Sequence, residues 1–75
     1  MSLSEKLIAS WQSPIVARSE VGRFSGGILH PRTMANLDAK GEGPGKIVVG
    51  GKVGYYTEVL ARWTEGRATG QGVRA

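Results

Sequence analysis

The sequence predicts a single small domain that is mainly α-helical and carries one small β-hairpin. Apolar residues recur at helical spacing in four short segments, and two β-rich runs flank a Gly-Gly pair. Twelve glycines divide the 75 residues into these short elements. A chain of this length has a small core, because it buries only about 60% of the surface that its unfolded form exposes.

The first predicted helix covers residues 5–12, with Ser4 as its N-cap, and it ends before Pro14. The apolar residues on one of its faces are Leu7, Ile8 and Trp11. We expect the segment 1–14 to pack on the rest of the domain or to extend it. Its apolar face either completes the core or mediates self-association.

The second predicted helix covers residues 20–25 and places Val21 and Phe24 on its inner face. Ser19 is its predicted N-cap, and Gly26-Gly27 ends it.

The third predicted helix covers residues 31–40, because Pro31 suits the first helical position and Gly41 suits the position after the last. His30 takes the N-cap position. The residues that face the core are Met34 and Leu37, and those on the opposite face are Arg32, Ala35, Asn36 and Ala39. We expect Asp38 to pair locally or to face the base of the following hairpin.

A β-hairpin comes next, with strands at 46–49 and 52–56, because Gly50-Gly51 supplies the positive φ angles of a tight primed turn. Tyr55 and Tyr56 point to opposite faces of the second strand. One of the two is therefore expected in the core, and the other partly exposed.

The last predicted helix covers residues 58–65, with Thr57 as its N-cap. Its expected inner face consists of Val59, Leu60 and Trp63. The segment 67–75 has no periodicity and is expected to be disordered. The element order of helix, helix, turn, helix, two-stranded wing and helix is that of a winged helix-turn-helix domain. We place this domain at residues 15–66, after the first helix.

The composition favours an acidic partner and disfavours catalysis. Ten Lys and Arg against six Asp and Glu give a net charge of +4, which favours nucleic acid or an anionic surface. The chain has no cysteine, and His30 is its one histidine, so thiol chemistry, disulfides and His-based metal clusters are excluded. We expect no cofactor, no metal and no enzymatic activity.

The sequence shows no membrane or export pattern. No apolar stretch approaches the roughly 18 residues that a membrane span needs, and no secretory signal opens the chain. We therefore expect a cytoplasmic protein without a membrane partner.

One motif resembles a nucleotide-binding loop without matching it. Gly45-Lys46 resembles the end of a Walker A motif, which also needs Gly at position 40 and Ser or Thr at position 47. Lys40 and Ile47 stand at those positions. The glycines are better explained as a helix end and a loop.

The third helix carries the residues best suited to reading DNA bases. Arg32 can bond guanine in bidentate fashion, Asn36 can do the same with adenine, and Thr33 can contact phosphate or a thymine methyl. Ala35 and Ala39 permit close approach to the groove. The alternative interpretation of the same residues is an ordinary solvated helix face.

Other cations are candidate contacts to the DNA backbone. Lys52 follows the hairpin tip, where a wing tracks the backbone or minor groove, and its alternative role is protection of a sheet edge. Further candidates lie at the start of the hairpin, at the end of the third helix, and on or before the second helix: Lys46, Lys40, Arg18 and Arg23.

From about residue 15 to residue 66 the chain resembles small MerR-like winged-helix domains, specifically phage excisionases and AlpA-type regulators. The motifs that carry the resemblance are Ser19-Glu20-Val21, His30-Pro31-Arg32-Thr33-Met34, Lys40-Gly41-Glu42-Gly43-Pro44, Ile47-Val48-Val49-Gly50-Gly51-Lys52-Val53, and Tyr55-Tyr56-Thr57-Glu58-Val59-Leu60 with Trp63. Gly54 departs from the pattern, because such wings often carry a second arginine there.

The resemblance implies sequence-directed binding of double-stranded DNA, with residues 31–40 in the major groove and the wing 46–56 on the adjacent backbone or minor groove. Members of the family act as excisionase-like directionality factors beside an integrase, or as small transcription regulators, and both roles stay open. By position, the matching contacts are Arg32, Thr33 and Asn36 on the helix and Lys52 on the wing. The rival hypothesis is a protein-interaction domain that kept the fold and binds no DNA.

Overall fold

The computed structural model describes residues 2–68, which form four α-helices and a three-stranded antiparallel sheet. In chain order the elements are α1 (Leu3–Ser10), β1 (Ile15–Ala17), a 3-10 turn (Arg18–Glu20), α2 (Val21–Phe24), α3 (Pro31–Ala39), β2 (Ile47–Val49), β3 (Lys52–Tyr56) and α4 (Thr57–Arg67). The strands lie in the order β1-β3-β2. The predicted combination of several helices with a small hairpin is confirmed, and the sheet has one strand more than predicted.

The strand that the sequence analysis missed is β1. It pairs with β3, with Ile15 opposite Tyr56 and Ala17 opposite Gly54. Three residues are too few to show the period-two pattern of a strand. Its partner also lies far away in the chain, so local reasoning gives no sign of the pairing.

The predicted hairpin is present in β2 and β3, with Val49 opposite Lys52 beside the turn. Gly50 has φ 59° and Gly51 has φ 82°, and a two-residue primed turn with positive φ at both positions favours glycine there. Tyr55 is fully buried, whereas Tyr56 is 53% exposed. The expected division between a core tyrosine and an exposed tyrosine is confirmed.

The core lies between the inner face of the sheet and the helices. Its buried members are Val16, Val21, Phe24, Met34, Tyr55, Leu60 and Ala61. Trp11 and Trp63 pack against this cluster and are partly buried, as Leu7 is. Because α1 packs along α4, Leu7 reaches the core, whereas Ile8 on the same face is 36% exposed.

The start of α1 differs from the prediction, because Ser2 rather than Ser4 is the N-cap. The Ser2 hydroxyl accepts a hydrogen bond from Glu5 N at 3.2 Å, and Ser2 N donates to Glu5 Oε1 at 2.9 Å. This reciprocal pair is a capping box. Ser4 N donates instead to Glu65 Oε1 at 2.8 Å, which joins α1 to α4.

The start of the second helix also differs, because the chain passes from β1 directly into the 3-10 turn. Ser19 lies inside that turn and caps nothing. Glu20 takes the N-cap position of α2, but its side chain makes no capping hydrogen bond to the helix backbone.

The start and the end of α4 differ from the prediction as well. Thr57 is the first residue of the helix, and its buried hydroxyl donates to Ser13 O at 2.6 Å rather than capping the helix. Val59, expected on the inner face, is 41% exposed. The helix continues to Arg67, the first residue of the predicted disordered segment, and residues 69–75 of that segment lie outside the described residues.

Across residues 2–68, every helix is too short or too polar to span a lipid bilayer.

Candidate nucleic-acid interface

The turn between α2 and α3 is organised by one serine side chain. Ser25 Oγ donates to Val21 O at 2.7 Å and accepts from Leu29 N at 2.8 Å. Gly26 and Gly27 follow with φ 69° and φ 91°, a backbone conformation that favours glycine. These bonds fix the direction in which the chain enters α3.

Both ends of α3 are defined by local hydrogen bonds. Arg32 N donates to His30 Nδ1 at 3.3 Å, so His30 is the N-cap, as predicted. At the other end Glu42 N donates to Leu37 O at 2.8 Å across Gly41, whose φ is 74°. This Schellman arrangement satisfies the last carbonyls of the helix. Lys40 becomes the C-cap residue.

The outer face of α3 carries a row of polar and basic side chains. Arg32, Asn36 and Lys40 are four residues apart and all exposed, so they lie one above the other along about 12 Å of helix. Thr33 is exposed beside them. Within residues 2–68, neither Arg32 nor Lys40 takes part in a salt bridge. We call Arg32, Asn36 and Lys40 the outer row.

The hairpin contributes two exposed lysines. Lys52 is the first residue of β3, beside the glycine turn, and Lys46 lies just before β2. In the described part of the chain both are free of salt bridges. The end of the hairpin is also apolar, because Val48 is 58% exposed and Val49 is 67% exposed.

Arg18 has internal partners. Its Nη2 donates to Asp38 Oδ2 at 2.6 Å, and its Nε donates to Tyr55 Oη at 3.1 Å. The Tyr55 hydroxyl donates to the same Asp38 oxygen at 2.6 Å. The side chain of Asp38 is 5% exposed and that of Arg18 is 23% exposed. We call Arg18, Asp38 and Tyr55 the Asp38 cluster; a phosphate contact by Arg18 stays a prediction.

The Asp38 cluster shifts the proton equilibria of two of its members. The hydrogen bond with Tyr55 raises the pKa of Arg18, and the bond with Asp38 adds to this against the effect of burial. Burial raises the pKa of Tyr55, and so does its hydrogen bond to Asp38. The guanidinium is therefore charged, and the phenol is protonated and able to donate, at neutral pH.

The sequence analysis did not find this cluster. It expected Asp38 to have a local partner or to face the base of the hairpin. The bond to Tyr55, at the base end of β3, agrees with the second alternative, whereas Arg18 is not a local partner, because it lies 20 residues away. One pattern could have indicated burial: Asp38 stands four residues after Met34, the fully buried residue of α3, and therefore on the same helix face.

Gly43 allows the loop between α3 and β2 to pack against the cluster. A Cβ atom at position 43 would collide with Asp38 Oδ1. Any side chain here would force either the loop or the carboxylate to move, so the glycine serves a close approach.

Arg23, on α2, is another residue predicted to contact the DNA backbone, and like Arg18 it forms a salt bridge within the protein. Its Nε is 2.9 Å from Glu20 Oε1, and its side chain is 76% exposed. Its guanidinium lies 5.3 Å from the centre of the Trp11 ring. An exposed pair of this kind contributes little stability, so the predicted phosphate contact is compatible with the geometry.

A separate apolar groove of about 410 Å³ lies between α1, α4 and the turn before α3. The larger apolar side chains that line it are Leu3, Leu7, Ile28, Leu29 and Trp63. Ile28 is 81% exposed. The predicted apolar face of α1 is divided between two grooves, because Leu7 lines this one and Ile8 and Trp11 line a second.

No protein-family model, curated protein or solved structure matches the chain. The resemblance to excisionases and AlpA-type regulators therefore rests on the motifs of the sequence.

Proposed function

We propose that this protein is a winged helix-turn-helix module that binds double-stranded DNA and has no catalytic activity. The observation that carries the proposal is the outer row of α3, in which Arg32 and Lys40 take part in no salt bridge within residues 2–68. Cations left without an internal partner at regular spacing on one helix are available to an anionic ligand. The net charge of +4 acts in the same direction.

The dimensions of α3 suit the major groove, which is about 12 Å wide and admits one helix. A row about 12 Å long faces three to four base pairs. In this arrangement Arg32 bonds guanine, Asn36 bonds adenine, and Thr33 contacts phosphate or a thymine methyl. Lys40, at the helix end, contacts the backbone.

In this proposal the β2–β3 hairpin is the wing of the winged helix-turn-helix. Lys52 stands beside the two-glycine turn, and glycines at the tip permit close approach to the backbone or minor groove. Lys46, at the base of the hairpin, adds a second cation. In a helix-turn-helix the first helix crosses the DNA backbone. Here that helix is α2, and its Arg23 contacts the phosphates.

The resemblance to excisionases and AlpA-type regulators is compatible with two biological roles for this interface. One is excision in recombination, beside an integrase and with self-association on DNA, and the other is transcription regulation. Both roles use the same contacts by α3 and the wing.

The test is a fluorescence-anisotropy titration of a labelled random duplex at a series of salt concentrations. With four to six phosphate contacts, the logarithm of the association constant should fall with a slope of roughly −4 to −5 against the logarithm of salt concentration. Lys52→Ala should make this slope shallower by about one unit. Lys6→Ala, which removes the same charge from α1, is the matched control and should preserve the slope. Absence of binding at low salt contradicts the proposal.

The second candidate function is protein binding without DNA binding, and the apolar groove with the highly exposed Ile28 is the observation that favours it. Ile28→Ser separates the two functions. The substitution should leave DNA affinity unchanged if α3 and the wing form the interface.

A further inference from the structure

Three elements that are distant in the chain meet at one carboxylate. Arg18 comes from the 3-10 turn, Asp38 from α3 and Tyr55 from β3, and each of the three side chains is hydrogen-bonded to the other two. The other two salt bridges within residues 2–68 join residues three or four apart on one helical segment. In the described chain, the Asp38 cluster therefore contains the one ion pair whose members lie far apart in the chain.

The apolar contacts of α3 do not by themselves determine its orientation. Throughout α3, whose every residue the structure describes, Met34 is the one fully buried side chain. Apolar packing is non-directional, so a helix held mainly at one such point can roll about its axis. Two hydrogen bonds of 2.6 Å to Asp38 Oδ2 are directional and provide the second fixed point.

The cluster also connects the two parts of the proposed interface. Asp38 lies on the inner face of α3, and the outer row lies on the opposite face of the same helix. Tyr55 lies on β3, three residues after Lys52. The loop that joins α3 to the hairpin packs on the same carboxylate at Gly43.

We propose that the Asp38 cluster is a positioning latch that holds α3 and the hairpin at one relative orientation. Arg18, Asp38 and Tyr55 are positioning residues, because they act through the outer row and Lys52. The consequence for DNA rests on the proposed function, whereas the fixed orientation does not. With the latch open, α3 and the wing no longer fit one site together, so affinity for a specific site falls while general attraction to DNA persists.

The smallest change that disrupts the latch is Tyr55→Phe, which removes one hydroxyl and with it the hydrogen bonds to Arg18 and Asp38. Thr57→Val is its matched control, because it removes a buried hydroxyl whose hydrogen bond has the same length of 2.6 Å but lies outside the cluster. Asp38→Asn is the second latch variant, and it keeps the side-chain size while removing the charge. Any effect that follows general stability will be similar in Tyr55→Phe and Thr57→Val.

The first arm of the experiment needs no DNA. The chain has no cysteine, so two spin labels can be placed at Ala39→Cys on α3 and Val49→Cys on the hairpin, both exposed. Double electron–electron resonance should give one narrow distance distribution without further substitution and in Thr57→Val. Tyr55→Phe and Asp38→Asn should broaden or shift it. An unchanged distribution in both latch variants overturns the proposal.

The second arm uses a duplex selected from a random library for binding to the unsubstituted chain, and a random duplex for comparison. Tyr55→Phe should lower the ratio of the two affinities about tenfold, the discrimination of one good base contact, whereas Thr57→Val should preserve the ratio. A changed distance with an unchanged ratio overturns the role in DNA recognition. If the unsubstituted chain binds no duplex, the proposed function fails, and the first arm still decides whether the latch exists.

Discussion

The two faces of α3 differ in whether their charged side chains are buried and paired or exposed and, in the described part of the chain, unpaired. On the inner face, Asp38 is 5% exposed and bonded to Arg18 and Tyr55. On the outer face, Arg32 and Lys40 are exposed and make no salt bridge within residues 2–68. Charge is thus satisfied internally where it fixes the helix and left available where a ligand could bind.

This difference has an energetic reason. A buried carboxylate without partners would be strongly destabilising, because it loses its hydration, and the two short hydrogen bonds offset that loss. An exposed cation keeps its hydration and destabilises little. Substitutions on the inner face should therefore change stability, and substitutions on the outer face should change binding alone.

The largest expected effect is that of Asp38→Ala on the inner face. It leaves Arg18 and Tyr55 without their shared acceptor, and we expect the free energy of unfolding to fall by about 3 kcal/mol, as measured by urea denaturation. The control is Glu58→Ala, which breaks the exposed pair with Arg62 and should reduce stability by less than about 0.5 kcal/mol. Equal effects of the two substitutions would contradict the claim that the buried Asp38 contributes more to stability than an exposed ion pair does.

The next effect is that of Arg32→Ala on the outer face. We expect affinity for a selected duplex to fall about 30-fold, the equivalent of about 2 kcal/mol, because one bidentate base contact is lost. The free energy of unfolding should stay within about 0.5 kcal/mol of its original value. Arg62→Ala removes the same side chain from an exposed position on α4 and should leave the affinity unchanged. A loss of stability in Arg32→Ala would contradict the separation of the two faces.

The smallest effect concerns alkaline pH. Because burial raises the pKa of Tyr55, the folded state retains this proton more strongly than the unfolded state. The resulting stability is present below the ordinary tyrosine pKa of about 10 and is lost as pH rises through the higher value of the folded state. We expect Tyr55→Phe to reduce the free energy of unfolding by about 1 kcal/mol at neutral pH. Urea denaturation above pH 9 should show a shallower alkaline decline for the variant, and equal declines would contradict the assignment.

Prediction from sequence succeeded where the determining interactions are local. Pro31 marks the start of α3, Gly41 follows its end, and Gly50-Gly51 forms the turn of the hairpin. These features were predictable because caps and tight turns depend on a few adjacent residues. The exposed positions of Arg32 and Asn36 followed from helical spacing.

Prediction failed where a partner lies far away in the chain. β1 exists because β3 pairs with it, and the Thr57 hydroxyl bonds Ser13 O instead of capping α4. The bonds of Arg18 to Asp38 and Tyr55 became visible only in three dimensions, while its phosphate contact stays a prediction. Nothing within a few residues of these positions indicates their partners.

The most direct measurement of the central claim is a titration of the ¹⁵N-labelled protein with a short duplex, followed by amide chemical shifts. The account predicts that the largest shifts cluster at Arg32, Thr33, Asn36 and Lys40 on α3 and at Lys52 on the hairpin. The amides along the groove, at Leu7 and Ile28, should stay in place. Shifts confined to the groove, or none at low salt, would contradict the assignment of the outer face of α3 to DNA.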